Sequence, residues 1–130
     1  MLTREADQTV RTLKFLASPG ILKSGTNAMA IHGELGIPGI LLRGILRRLT
    51  VAGIVRSKRG RTGGVHLEEK ALTLSILDVL DAAEPKKKRN SGMWDSASGN
   101  PGDPVHALFL KAHNKVREVL AETTVAQLVE

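Results

Sequence analysis

The chain contains no cysteine and very few aromatic side chains, with one tryptophan and two phenylalanines among its 130 residues. Without thiols it can form no disulfide, thiolate nucleophile or cysteine-based zinc finger, and no cluster held by several thiolates. Phe15, Trp94 and Phe109 are too few to build the stacking platform that single-stranded nucleic acid requires. No apolar run approaches the ~18 residues that cross a bilayer, and the opening MLTREADQTV is too charged for a secretory signal. A cytoplasmic protein with no membrane partner is expected. Catalytic signatures are missing too. There is no Walker loop, dinucleotide fingerprint, nucleophile elbow or zincin motif, and GRTGG at 60–64 lacks the Lys-Ser/Thr that a phosphate loop needs. An enzyme is not expected.

What the chain has in excess is positive charge: 19 Lys and Arg against 13 Asp and Glu give a formal net charge of +6. An excess of that sign attracts polyanions. With so few aromatics, duplex DNA is a better partner than single-stranded RNA. The length suits one compact domain with a modest core, extended by a protruding element.

Three helices are legible in the first half. From Ala6 to Ala17 the residues Ala6, Val10, Leu13 and Leu16 recur at three- and four-residue intervals, the period of an amphipathic helix, and SPG at 18–20 ends it. A second helix is expected from about Thr26 to Leu35, with Ala28, Ile31 and Leu35 facing inward and Gly36 as its breaker. After Ile37-Pro38, a third runs from Gly39 to Ala52. It buries Leu42, Ile45, Leu46 and Leu49 and turns Arg43, Arg47 and Arg48 elsewhere. Two short helices joined by a glycine-containing turn have the spacing of a helix-turn-helix.

The stretch GIVRSKRGRTGGVHL, 53–67, threads basic residues and glycines between two β-prone runs, Ile54–Val55 and Val65–Leu67. Its middle is too polar and glycine-rich for core, so it reads as a hairpin with a basic tip. Glycines 60, 63 and 64 would permit positive φ and keep the tip slim enough to enter a groove. Arginines carried there suit the electronegative minor groove, and their neighbours suit phosphates. Such a hairpin is a wing.

Beyond it, 71–84 carries Leu74, Leu77, Val79 and Leu80 in a helical pattern, with Thr73 or Ser75 as N-cap. Residues 85–104 then lose all periodicity. That loop of roughly twenty residues far exceeds the usual connection of about 4 to 6. A last helix from Val105 to about Thr123 places Val105, Leu108, Ala112, Val116, Val119 and Leu120 near heptad spacing. At 1.5 Å per residue it would be ~28 Å long, more than the core needs to cover, and a two-fold partner helix would bury the surplus. The tail TTVAQLVE is expected to add one short turn.

These segments resemble the Rrf-two family of bacterial winged-helix transcription regulators over nearly the whole chain. The resemblance rests on LT at 2–3, LGIP at 35–38, ILRRLTVAGIVRSKRGRTGG at 45–64, LTLSILDVLDAAE at 72–84 and TTVAQLV at 123–129. It implies a homodimer on a pseudo-palindromic double-stranded DNA operator, with Gly39–Ala52 in the major groove and the Arg59–Gly64 wing in the minor groove. It also implies a regulator, expected to repress. In the family's cluster-binding, IscR-like members three cysteines and a histidine hold the cluster. Counting back from HALF at 106–109, this chain has Ser91, Ala97 and Asp103 at the cysteine positions and His106 at the histidine. Asp7 matches an acidic N-terminal ligand of NsrR-like members. Lacking the thiolates, the chain is expected to carry no cluster, no metal and no other cofactor. Ile40, Arg43 and Gly44 replace the Ser, Glu and Gln of the IscR-like pattern, so the operator is expected to differ, with Arg43 suited to guanine.

The sequence therefore reads as mainly α with a small β-hairpin wing. A winged helix-turn-helix DNA-binding domain, 1–84, is followed by a sensor loop, 85–104, and by the dimerisation helix and C-terminal turn, 105–130. The DNA-binding candidates are Thr26, Gly39, Ile40, Arg43, Arg47, Arg48, Arg56, Lys58, Arg59, Gly60, Arg61, Thr62 and Gly63. Phe109 joins Val105, Leu108, Ala112, Val116, Val119 and Leu120 at the dimer seam, and Asp7, Ser91, Trp94, Ala97, Asp103 and His106 are the sensor candidates. KKKR at 86–89 reads as solvated linker, and Trp94 as packing over the dimer helices. His106 and His113, one heptad apart, read as dimer-surface residues, while His32 and His66 have no partners suggesting catalysis. Control by a small ligand or protein at the loop, and non-specific DNA coating, are the alternatives.

Overall fold

The computed structural model describes residues 2–58, 64–83 and 102–130. The wing tip at 59–63 and most of the long loop, with Ser91, Trp94 and Ala97, lie outside these residues. Helix α1, Arg4–Ala17, begins earlier than the apolar pattern suggests, because the Thr3 hydroxyl accepts from the Ala6 amide at 3.1 Å and caps it. Its inner face buries Leu13 and Leu16 completely. Thr9 and Thr12 are buried as well, their hydroxyls donating to the carbonyls of Glu5 and Gln8 at 2.8 Å.

The next segment corrects the sequence reading. Ser18-Pro19-Gly20 does not simply stop α1: proline is tolerated in a first turn, and a short helix α2, Pro19–Ser24, starts there. Gly25, at φ 78°, turns the chain out of α2. Thr26 is not helical but bridges to Val65, through Thr26 N–H to the Val65 carbonyl at 3.0 Å and Val65 N–H to the Thr26 carbonyl at 2.6 Å. Helix α3, Ala28–Leu35, therefore begins after Asn27, whose side chain accepts from the Ala30 amide at 2.8 Å. With that start Ala28 lies exposed rather than inward, while Ile31 is fully buried and Leu35 half-buried. Gly36, in the left-handed conformation at φ 69°, closes the helix as expected.

Helix α4, Gly39–Val51, buries the expected stripe of Leu42, Ile45, Leu46 and Leu49. Strands β1, Val55–Lys58, and β2, Gly64–Leu67, pair antiparallel with Val55 opposite Leu67 and Lys58 opposite Gly64. The described glycines with positive φ are Gly25, Gly36 and Gly53, so Gly64 is not there for backbone freedom. It is needed because a Cβ would collide with the Thr26 carbonyl oxygen of the neighbouring bridge.

Helix α5, Ile76–Ala83, starts later than residue 71. Glu69–Thr73 forms a 3-10 turn and Leu74 is extended, its carbonyl accepting from the Val125 amide at 2.9 Å. Leu74 therefore precedes the helix instead of lying on it. Ser75 is the cap: its hydroxyl accepts from the Asp78 amide at 3.0 Å while the Asp78 carboxylate accepts from the Ser75 amide at 3.3 Å.

Helix α6, Pro104–Ala121, is followed by a 3-10 turn, Ala126–Val129. Val125 is fully buried in the same core as Leu13, Ile31, Leu49 and Val79. The tail thus returns to close the winged-helix core. Each such side chain contributes about 1.5–3 kcal/mol by leaving water. No helix among the described residues is long and apolar enough to cross a membrane.

Candidate nucleic-acid interface

Because the four buried residues of α4 turn its other side outward, Ile40, Arg43 and Arg47 share one exposed face, with Ile40 at 85% exposure. Neither Arg43 nor Arg47 has an ion-pair partner among the described residues. Gly39 opens the helix with nothing near the place a Cβ would occupy, and Pro38 before it supplies no side-chain cap. The first-turn amides of α4 are therefore not met by a side chain of the preceding residue.

Arg48 differs from its neighbours. Its guanidinium donates to the Glu5 carboxylate on α1, 43 positions earlier, and both side chains are less than one-third exposed. Gly44 leaves room for this, since a Cβ there would lie 3.2 Å from Arg48 Nη1. The pair ties α4 to the start of α1, and no local pattern in the sequence could have announced it.

The hairpin stands beside α4. Arg56 is exposed, with Nε 4.0 Å from the Glu68 carboxylate, a distance at which the pair holds the side chain only loosely. Lys58 is exposed where β1 runs toward the tip, and Thr26 flanks β2 through its bridge. Arg59, Gly60, Arg61, Thr62 and Gly63 lie outside the described residues.

No residue of helix α6 is fully buried, although Leu120 packs against the edge of the core. Val105, Leu108, Phe109 and Val119 are 58%, 63%, 43% and 54% exposed, Ala112 is exposed, and Val116 and Leu120 are half-buried. Arg117, whose two terminal nitrogens donate to the Asp81 carboxylate at 3.1 and 3.0 Å, fastens the C-terminal half of α6 to α5.

Of the sensor candidates, Asp7, Asp103 and His106 lie among the described residues. Asp7 is engaged by Arg11 at 2.8 Å, a hydrogen bond that, with the charge attraction, raises the arginine's pKa further. The Asp103 carboxylate caps α6 by accepting from the Val105 amide at 3.0 Å, and His106 is half-buried. No group of three or more metal-ligating side chains occurs among the described residues.

A helix pair whose second member displays arginines beside a two-stranded hairpin defines a winged-helix, DNA-binding transcriptional regulator. The chain belongs to the Rrf2 (Rrf-two) family: the family model described as Iron-dependent Transcriptional regulator matches residues 2–130. The Mycobacterium tuberculosis (strain H37Rv) protein Rv1287, which bears the name of an HTH-type transcriptional regulator, is 30% identical over 131 residues, covering 98% of this chain and 80% of its own. Among solved structures, Staphylococcus aureus CymR superimposes with a TM-score of 0.72 at 25% identity, covering 98% of this chain and 97% of that one. IscR of T. potens gives 0.77 at 19% identity over 99% and 85%, a likeness of fold. Both fold and relatives are those of transcriptional regulators, not enzymes.

Proposed function

We propose that the chain acts as a homodimeric, sequence-specific repressor, inserting α4 into successive major grooves and the 59–64 wing into the flanking minor groove. The observation that carries this reading is the coexistence of two solvent-exposed faces. One is the Ile40–Arg43–Arg47 face of α4, and the other is the apolar face of α6. Val105, Phe109, Ala112, Val116 and Val119 are spaced four, three, four and three residues apart, the seam of a paired helix. A two-fold pair of α6 helices would hold two α4 helices at a set separation, and operator half-sites would repeat accordingly. The 85–104 loop, which leads directly into α6, is where an effector would alter that separation.

An iron–sulfur cluster does not fit the donors present. The family's description names iron, but this chain offers no thiolate, Asp103 is committed to capping α6 and Asp7 to Arg11. His106, the matched histidine, cannot hold a cluster alone. We therefore assign regulation to a ligand or protein at the loop and none to a cluster. Anaerobic reconstitution with iron and sulfide should leave the protein colourless; a visible cluster spectrum would refute this.

The function itself is tested by titrating the protein against a duplex selected from a random pool and against random duplex. Tight binding to the selected duplex with a two-protomer stoichiometry is expected, and Arg59→Ala should weaken it without changing the melting temperature. Equal affinity for both duplexes, with only a steep salt dependence, would make the protein a non-specific coat instead.

A further inference from the structure

Ile40 is a large β-branched side chain 85% exposed on the first turn of α4, where it contributes nothing to the core. Arg43, three residues on, lies on the same face without an ion partner among the described residues, and Arg47 follows one turn later. An exposed isoleucine set in a row of unpaired cations is poorly suited to an apolar protein partner, because docking one would strip water from Arg43 and Arg47 without pairing them. A duplex has the opposite property. Its phosphates take the cations, and the major-groove edge of one base, thymine, carries a methyl group amid the hydrogen-bonding atoms.

Resting on the reading that α4 enters the major groove, we infer that Ile40 is a specificity-determining residue that packs on the C5-methyl group of a thymine in each half-site. Arg43 donates two hydrogen bonds to O6 and N7 of a guanine one or two base pairs away. The spacing supports this. Residues three apart on a helix are separated by ~4.5 Å along its axis, and successive bases by ~3.4 Å. A short stiff side chain and a long arginine on one face therefore address neighbouring base pairs. Gly39, with open space around it, adds no bulk to hold the first turn away from the bases. Arg47 is left for a phosphate, while Arg48, turned to Glu5, takes no part.

The test uses the full-length protein and a duplex selected from a random pool. Each thymine of the half-site is replaced in turn by deoxyuridine, which has the same hydrogen-bonding edge but no methyl. One position per half-site should weaken binding by about fourfold, the factor corresponding to one buried methyl-sized group. Changing it in both half-sites should cost roughly sixteenfold. Ile40→Ala should bind thymine and deoxyuridine duplexes equally at that position and keep its melting temperature. Arg43→Ala should relax the preference for the adjacent guanine by at least about fivefold. The inference is overturned if the protein binds its selected duplex tightly but no thymine is sensitive to loss of the methyl, or if Ile40→Ala still distinguishes the two duplexes. Failure of the selection to enrich any sequence would overturn both this inference and the function on which it rests.

Discussion

Arg47→Ala and Arg48→Ala, neighbours in sequence, should behave differently in salt titrations of operator binding. Each phosphate neutralised by a cation contributes about −0.9 to the slope of log K against log salt concentration. Arg47 is exposed and has no ion partner among the described residues, so its removal from both protomers of a dimer should flatten the slope by about 1.8. Between about 50 and 200 mM salt, the variant's affinity deficit should then shrink by about twelvefold. Arg48 is bound to Glu5, with side chains 30% and 25% exposed, and should leave the slope unchanged. Its loss should show in stability instead. A partly exposed pair is worth about 0.5–1 kcal/mol, or a melting point lower by about 2 to 4 °C for a chain of this size. Fluorescence anisotropy at several salt concentrations, with a melting curve for each variant, measures both effects. Equal slope changes for the two variants would refute the assignment of Arg48 to Glu5 in the bound state. A change of only about 0.9 for Arg47→Ala would refute the two-fold arrangement.

Leu49→Ala empties a fully buried position at the centre of the core and should cost about 2 to 5 kcal/mol in a denaturant titration. Gly64→Ala should cost about 1 to 3 kcal/mol, because the new methyl meets the Thr26 carbonyl, and should speed exchange of the Val65 amide proton; an unaffected amide would show that the bridge is not tight. The double substitution Leu108→Asp and Phe109→Asp places charges on the exposed apolar side of α6 and should give a monomer by sedimentation with an intact far-ultraviolet spectrum. A dimer that survives it would move the contact away from α6.

Much of the fold was legible because it follows from short-range periodicity. The stripe Leu42, Ile45, Leu46 and Leu49 marked the buried side of α4 without reference to any other segment, and the β-prone run Val65–Leu67 marked the strand leading out of the wing. The outward side carrying Arg43, Arg47 and Arg48 followed as its complement. The misreadings fell where a distant segment competes with local preference. Thr26, read as helical, pairs with Val65. Leu74, read as helical, gives its carbonyl to Val125. Pro19, read as a terminator, opens α2 because a first-turn proline satisfies the helix as well as it ends the one before.

Apart from α2, the order of the main helices and strands, their amphipathic faces and the surplus of basic residues were therefore written in the chain, since each depends on neighbours within about one helical turn. Which of those basic residues remain available to a partner was not. Three arginines of α4 look alike in sequence, and folding separates Arg48 from Arg43 and Arg47 by carrying Glu5 up to it from another helix. The role of a charge depends on the opposite charge nearest in space, and that neighbour exists only after the chain has packed.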